Sequence, residues 1–314
     1  MTATIAKRLL AAIPVLFGLS VIVFLMIALI PGDPATAILG SYATPENVAR
    51  LNASLGLDKS LPQQYLAWIS GVVTGDFGRS YALNRPVIDI VLERFSATLL
   101  LAGASLMLAT VFGILAGIVS AVRQFGFADK AVTLVVLIGI SVPSFWLGLL
   151  LILFFAVKSR LFPASGMVAI YGGGGTLDIL HHLVLPAITL ALVATGVIAR
   201  LTRTAMLEVL RQDYIRTARA KGLSERRVIY RHAFMAALVS VIPVIGIQAG
   251  FVLGGAVYVE TVFQWPGIGA MLVNAISQRD ILLVQGGVLV VAASYVLFNL
   301  LADVCQTLLD PRLK

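Results

Sequence analysis

Apolar residues in this chain gather into six long runs: Leu9–Ile30, Ala97–Val122, Ala131–Val157, Leu183–Ala199, Ala236–Val262 and Ile281–Ala302. A helix rising ~1.5 Å per residue needs about 20 apolar residues to cross a bilayer core of ~30 Å, and each run has about that length. The fourth is the shortest. No breaker follows it between Leu201 and Leu210, so its helix is expected to continue beyond the bilayer. The pattern predicts an all-α integral membrane protein with six transmembrane helices. It divides the chain into an N-terminal transmembrane helix (1–30), an external loop region (31–96) and a five-helix core (97–314) carrying a polar loop at 200–235.

The polar connections carry their own signals. The stretch 31–96 is too long for a bare loop and should hold structure. Pro62 can start a helix with Tyr65, Leu66, Ile69, Val72 and Val73 on one stripe, and Gly75-Asp76-Phe77-Gly78 should end it. Such a helix reads more simply as lying on the membrane surface than as contacting a substrate. Gly172 to Gly175 form a flexible run without the lysine and hydroxyl residue of a phosphate-binding loop. After Phe263-Gln264-Trp265, Pro266-Gly267 forces a turn, and the apolar residues up to Ile276 can form a short helix. A re-entrant segment and an interfacial cap are both compatible with that helix.

Composition agrees with the pattern. The chain is 59% hydrophobic and only 12% charged, outside the range of a soluble domain of 314 residues. The formal charge of +8 invites a nucleic-acid partner. Topology explains it better, because basic residues accumulate on the cytoplasmic side of membrane proteins. With the N-terminus inside, Lys7, Arg8, Arg123, Lys130, nine basic residues from Arg200 to Arg231, Arg312 and Lys314 all fall on that side, and so do both termini. The two short outside loops hold only Lys158, Arg160 and Arg279. The lone cysteine, Cys305, excludes an intrachain disulfide and reads as a small apolar residue. Pro31-Gly32-Asp33-Pro34 follows the first run in place of a small-residue cleavage site, so that run reads as a retained helix.

One polar segment stands out. Asp213 to Gly222, DYIRTARAKG, lies inside the basic loop and is built to form helix. Ala218, Ala220 and long unbranched side chains favour helix, Gly222 can take the left-handed conformation that ends one, and Ser224 can cap the next. Two short helices joined at a glycine, outside the bilayer, read as a docking surface for a cytoplasmic partner.

Catalytic patterns do not emerge. The histidines are His181, His182 and His232, with no His-Glu-x-x-His or Gly-x-Ser-x-Gly arrangement. The ionisable residues near membrane depth, Glu260 and Asp303, lie at span ends without a partner evident in sequence, which argues against a stand-alone ion-driven carrier. Pro143, within Ser141-Val142-Pro143-Ser144-Phe145-Trp146, should kink the third span. Gly113 and Gly117, and Gly246, Gly250 and Gly254, recur every four residues and read as close helix packing, on faces that could also slide. Candidate pathway-lining residues are Ser141, Pro143, Trp146, Gln248, Glu260 and Trp265.

With these residues in view, the chain resembles the B-type permease subunit of binding-protein-dependent ABC importers of the dipeptide, oligopeptide and nickel group. The resemblance covers nearly the whole chain: IPGDPA at Ile30–Ala35, LGLDKSLPQQY at Leu55–Tyr65, GDFGRS at Gly75–Ser80, SVPSFW at Ser141–Trp146, RLTRTAMLEVLRQDYIRTARAKGL at Arg200–Leu223, ETVFQWPGIG at Glu260–Gly269 and VQGGVL at Val284–Leu289. The Arg200–Leu223 stretch is the most specific. The resemblance implies a type I, MetI-like permease fold in the cell inner membrane, and a chain that is not an enzyme. It further implies a second homologous permease subunit, two ATPase subunits that use ATP and Mg, an external solute-binding protein, and no cofactor on this chain. It assigns ATPase coupling to Tyr214, Ile215, Arg216, Thr217, Ala218, Arg219, Ala220, Lys221 and Gly222, with Ala218 and Gly222 as the small-residue seat. Peptides lead as cargo; relatives carry nickel, glutathione, opines or sugars. After His232 the group often has Arg-Asn and then proline, where this chain has Met235-Ala236 and Ser240, with its next proline at Pro243.

Overall fold

The computed structural model describes residues 2–28, 34–169, 171 and 174–309. Ile30 to Asp33 of the IPGDPA motif, two of the four consecutive glycines, Arg312 and Lys314 lie outside the described residues, and so do the side chains of Asp303 and Cys305. The described chain is helical apart from turns and one isolated antiparallel bridge between Arg79 and Pro86. It falls into two compact units, one built mainly from Thr98–Pro266 and the other from Ala6–Ala97 with Gly267–Val296.

The second of these units begins with α1 (Thr2–Ala28), followed by α2 (Pro34–Leu39), α3 (Pro45–Leu55) and α4 (Leu61–Thr74). The stretch expected to lie outside the membrane is therefore structured from Pro34 onward. Helix α3 is capped by the Thr44 hydroxyl, which accepts from the Asn47 N–H at 3.3 Å, and it ends at Gly56 with φ +66°. Helix α4 has proline in its first turn and ends at Gly75 with φ +86°. No residue of α4 is fully buried. Its inner stripe meets α1: the Tyr65 ring stands edge-on to Phe24 at 5.4 Å, Trp68 lies 6.1 Å from Phe24, and Ser20 shares a 2.8 Å hydrogen bond with the Tyr65 hydroxyl.

The core of this unit brings together α5 (Val87–Val122), α12 (Ile268–Ser277) and α13 (Ile281–Leu309). Val87, Ile90 and Val91 pack with Ile268, Met271, Ala275 and Leu283, and Phe77 of the GDFGRS motif lies against them. Helix α12 is thus a packed helix. The VQGGVL motif has a steric reason: a Cβ on Gly286 would lie 2.6 Å from Val87 Cγ1, and one on Gly287 would lie 2.7 Å from Leu272 Cδ2. Asp280, 1% exposed, accepts from the Ser80 hydroxyl at 2.5 Å, the Ala82 N–H at 3.2 Å and the Leu283 N–H at 3.3 Å. One carboxylate therefore caps α13 and ties down the loop after Gly78.

In the unit built from Thr98–Pro266, α8 (Thr176–Leu210) lies at the centre, surrounded by α6 (Phe127–Ser141), α7 (Ser144–Leu151) and α11 (Phe234–Val262). Helix α8 runs unbroken to Leu210, well past the end of the fourth apolar run at Ala199. Small residues let its neighbours approach. A Cβ on Gly113 would lie 2.8 Å from Ile198 Cβ, and one on Gly117 would lie 2.5 Å from Thr202 Cβ, so this glycine pair is a close-packing face. The α11 glycines do not form a single such face: Gly246 packs on Ala302, whereas Gly254 faces open space.

Four helices, α5, α8, the stretch Glu225–Val262 and Ile281–Ala302, are long and apolar enough to cross a membrane unbroken. The pair α6 and Ser144–Lys158 is long and apolar enough only when taken together, and it is bent by 106°. Helix α1, with a 17-residue apolar stretch Leu10–Met26, stands where the first of the six spans was expected. The expected kink at Pro143 is a full corner. Pro143 cannot donate to the preceding turn, and it pushes Val142 out of the helical region to φ −83°, ψ 127°. Two successive residues leave the helix, so the chain turns a corner.

Candidate functional site

The basic loop folds as its residues suggest. Helix α9 (Asp213–Ala220) follows α8 after Arg211-Gln212, and Gly222 at φ +77° closes it, with its N–H donating to the Arg219 carbonyl at 2.9 Å. Helix α10 (Glu225–Arg227) is a single turn that widens into a π-helical stretch, Val228–Ala233, leading into α11. Ser224 occupies the cap position of α10, but its backbone carbonyl does the work, accepting from Arg227 at 2.9 Å and Val228 at 3.0 Å. Across the glycine, Arg219 grips Glu225 with two bonds, Nη2 to Oε1 at 2.6 Å and Nε to Oε2 at 3.1 Å. That grip holds the Glu225 carboxyl below the ordinary carboxylate range.

Helix α9 is amphipathic, and its faces are assigned by packing. It rests on Val228–Ala233. Ile215 and Ala218 are buried on one side, and Val228, Ile229 and Ala233 on the other. Ala218 is therefore turned into the loop's own interior. The exposed residues of the nine are Tyr214, Arg216, Thr217, Arg219, Ala220, Lys221 and Gly222. The small residues presented outward are Ala220 and Gly222. The i, i+3 spacing of Ile215 and Ala218 carries this signal, since the two share a helix face. Tyr230, at 50% exposure, and the basic residues Arg226, Arg227 and Arg231 are also exposed on this loop.

The pathway candidates divide into two groups. Ser141, Pro143 and Trp146 are exposed at the corner between α6 and α7. Gln248, Glu260 and Trp265 are interior, at 7%, 0% and 0% exposure. Glu260 does have a partner: its Oε1 accepts from the Thr98 hydroxyl at 2.6 Å, while its backbone carbonyl accepts from the Trp265 N–H at 2.8 Å. The histidines serve local structure. His181 Nε2 lies 2.8 Å from the Leu161 carbonyl, and His182 Nδ1 lies 2.9 Å from the Asp178 carbonyl and 3.2 Å from its carboxylate. His232 is half-buried in the π-helical stretch.

Sequence reasoning missed an ion pair with a buried carboxylate at the foot of the basic loop. Arg203 donates to Asp129 twice, Nε to Oδ1 and Nη2 to Oδ2, each at 2.9 Å. Ser120 donates to Asp129 Oδ1 and accepts from Arg203 Nε at 3.1 Å, and the Phe125 N–H reaches Asp129 Oδ2 at 2.9 Å. Asp129 is 5% exposed. One clue was available: an aspartate in the first turn of a helix, in a chain with only 15 acidic residues. Its partner, 74 positions away, was not readable.

The helix order and the bundle around α8 define a class. A structure of the MetNI methionine ABC transporter in inward-facing conformations matches 70% of this chain and 96% of its own at TM-score 0.57 and 17% identity. A crystal structure of an amino acid ABC transporter with histidines matches 71% and 94% at TM-score 0.51 and 13% identity. The fold is thus the MetI-like permease fold of ABC importers. The chain belongs to the family described as binding-protein-dependent transport system inner membrane component, whose model matches residues 113–314, with the family's N-terminal model matching residues 1–102. It is 42% identical to the di/tripeptide transport system permease protein DppB of Pseudomonas aeruginosa, over 100% of this chain and 99% of that protein. It is also 42% identical to the dipeptide transport system permease protein DppB of Escherichia coli K12, over 99% and 98%. The Alkalihalophilus pseudofirmus DppB is 40% identical over the full length of both chains. The family is one of multi-pass membrane permease subunits, not enzymes.

Proposed function

We propose that this chain is one of two permease subunits in an ATP-driven importer of dipeptides and oligopeptides. The single observation that carries the reading is identity of 42% over essentially the whole length to permeases named for dipeptide transport. The chain sits in the inner membrane with both termini and the 200–235 loop in the cytoplasm, in keeping with the basic residues gathered there. A second, similar permease completes the pathway, a solute-binding protein delivers the peptide from outside, and two ATPase subunits supply the energy from ATP and Mg.

The loop is where that energy enters. Tyr214, Arg216, Thr217, Arg219, Ala220, Lys221 and Gly222 form the surface that meets the ATPase, and Ile215 and Ala218 hold α9 onto the loop from beneath. Exposed guanidinium and ammonium groups suit acidic rims, while Ala220 and Gly222 allow close approach. Closure of the ATPases on ATP moves the loop, and the bundle around α8 alternates the access of the pathway.

The test is uptake of a labelled dipeptide into liposomes carrying the purified complex. Uptake should need ATP and every subunit, and Gly222→Asp should abolish it while the protein still inserts. Gradient-driven uptake by this chain alone would overturn the permease-subunit reading. ATP hydrolysis stimulated by a binding protein loaded with nickel or glutathione, with no peptide uptake, would overturn the peptide assignment.

A further inference from the structure

The ion pair at the foot of α8 joins three helices. Ser120 lies in the last turn of α5, Asp129 in the first turn of α6, and Arg203 on the part of α8 that leads into the basic loop. Around it the packing is tight. A Cβ on Gly117 would come within 2.6 Å of the Ala199 carbonyl oxygen, so α5 and α8 touch almost backbone to backbone just beneath the pair. The turn between α5 and α6 is strained: Phe125 sits at φ +63°, a region a phenylalanine rarely adopts, and its N–H is held there by Asp129. One carboxylate therefore fixes the turn, neutralises Arg203 and engages the end of α5.

The contact continues along α6. Gly139 packs on Leu192, with its Cβ position 3.1 Å from Leu192 Cγ, and Gly196 packs on Ile140 at 3.0 Å. This seam ends at the corner where Val142 and Pro143 break the span. Helix α6, 15 residues long and thus roughly 22 Å, is short enough to move as a rod. The clamp grips one end of that rod, and the exposed corner residues Ser141 and Pro143 lie at the other.

We propose that Asp129 is a positioning residue for transport: with Arg203 and Ser120 it locks the α8 arm of the basic loop to α5 and α6, so that displacement of the loop is delivered through α6 to the Pro143 corner. This rests on the reading of the loop as the point where ATP-driven motion enters. Without the clamp, α8 can move while α6 lags, and hydrolysis then proceeds with little transport. A packed, salt-bridged contact that moves as one body is the physical basis for such transmission.

The experiment uses the complete complex in liposomes, with assembly, ATP hydrolysis stimulated by the loaded binding protein, and solute uptake all measured. The variants are Arg203→Lys, which keeps the charge but loses the two-pronged grip, Asp129→Asn, and the exchange of Asp129→Arg with Arg203→Asp. Uptake per ATP hydrolysed should fall about tenfold in Arg203→Lys and more in Asp129→Asn, and should recover in part in the exchange. An unchanged ratio in the two single variants would overturn the proposal. So would parallel loss of assembly, hydrolysis and uptake in both, which marks a purely structural pair. An unaltered complex that fails to couple uptake to ATP would instead overturn the reading of the loop.

Discussion

Two arginine–carboxylate pairs in this protein have nearly the same geometry and opposite surroundings. Arg203 and Asp129 meet through two bonds at 2.9 Å, with the Asp129 side chain 7% exposed. Arg219 and Glu225 also meet through two bonds, yet their side chains are 43% and 56% exposed. In the first pair the carboxylate has left water while the Arg203 side chain keeps 29% of its exposure, so the loss falls mainly on Asp129 and the donors that face it. In the second, water replaces whatever is lost. The first joins helices 74 residues apart; the second fastens neighbouring turns across one glycine. Bond geometry alone does not set the worth of a pair; its surroundings do.

The contrast breaks most readily at Asp129. Asp129→Leu leaves a partly exposed Arg203 unpaired and should cost somewhat less than the ~3–5 kcal/mol of a wholly buried pair, read as a large fall in thermal unfolding temperature in detergent, with Asp129→Leu plus Arg203→Met recovering much of it. A loss as small as that of a surface variant would dissolve the comparison. Gly117→Ala, which forces a methyl group into Thr202 and the α8 backbone, should cost about 1–3 kcal/mol by the same assay. Gly222→Ala meets nothing within 4 Å, so only the left-handed backbone at φ +77° resists it, and the cost should be about 1 kcal/mol. Glu225→Gln should cost at most about 1 kcal/mol, and less at about 1 M salt. Because Arg219 depresses the folded pKa of Glu225, this small contribution is present above the ordinary carboxylate range. It disappears as pH falls through the depressed value, and a pH titration of unfolding temperature in wild type against Glu225→Gln reads it.

Much of the architecture was legible because it is local. Apolar runs located four helices long enough to span, Pro62 and Gly75 bounded α4, Pro266-Gly267 announced α12, and Gly222 marked the turn in the basic loop. Each of those signals lies within a few residues of the element it shapes. What escaped depends on distant parts of the chain. Pro143 was readable as a kink, but the 106° corner reflects Val142 leaving the helix as well. Ala218 looked like a docking seat until Val228–Ala233 covered it. Asp280 meets Ser80 across 200 positions, and Asp129 meets Arg203 across 74, and no periodicity encodes such pairings.

The outer face of α9 is the surface that should be covered by another protein in the assembled importer. Thiol labelling of Ala220→Cys tests this, in a Cys305→Ser background so that it is this chain's only thiol, read on this chain alone. The rate of reaction with a soluble maleimide is compared in the permease alone and in the full complex. The account predicts fast labelling in isolation, since Ala220 is exposed, and at least about tenfold slower labelling once the ATPase subunits are bound. Equal rates in the two states, in a complex shown to be assembled, would contradict it.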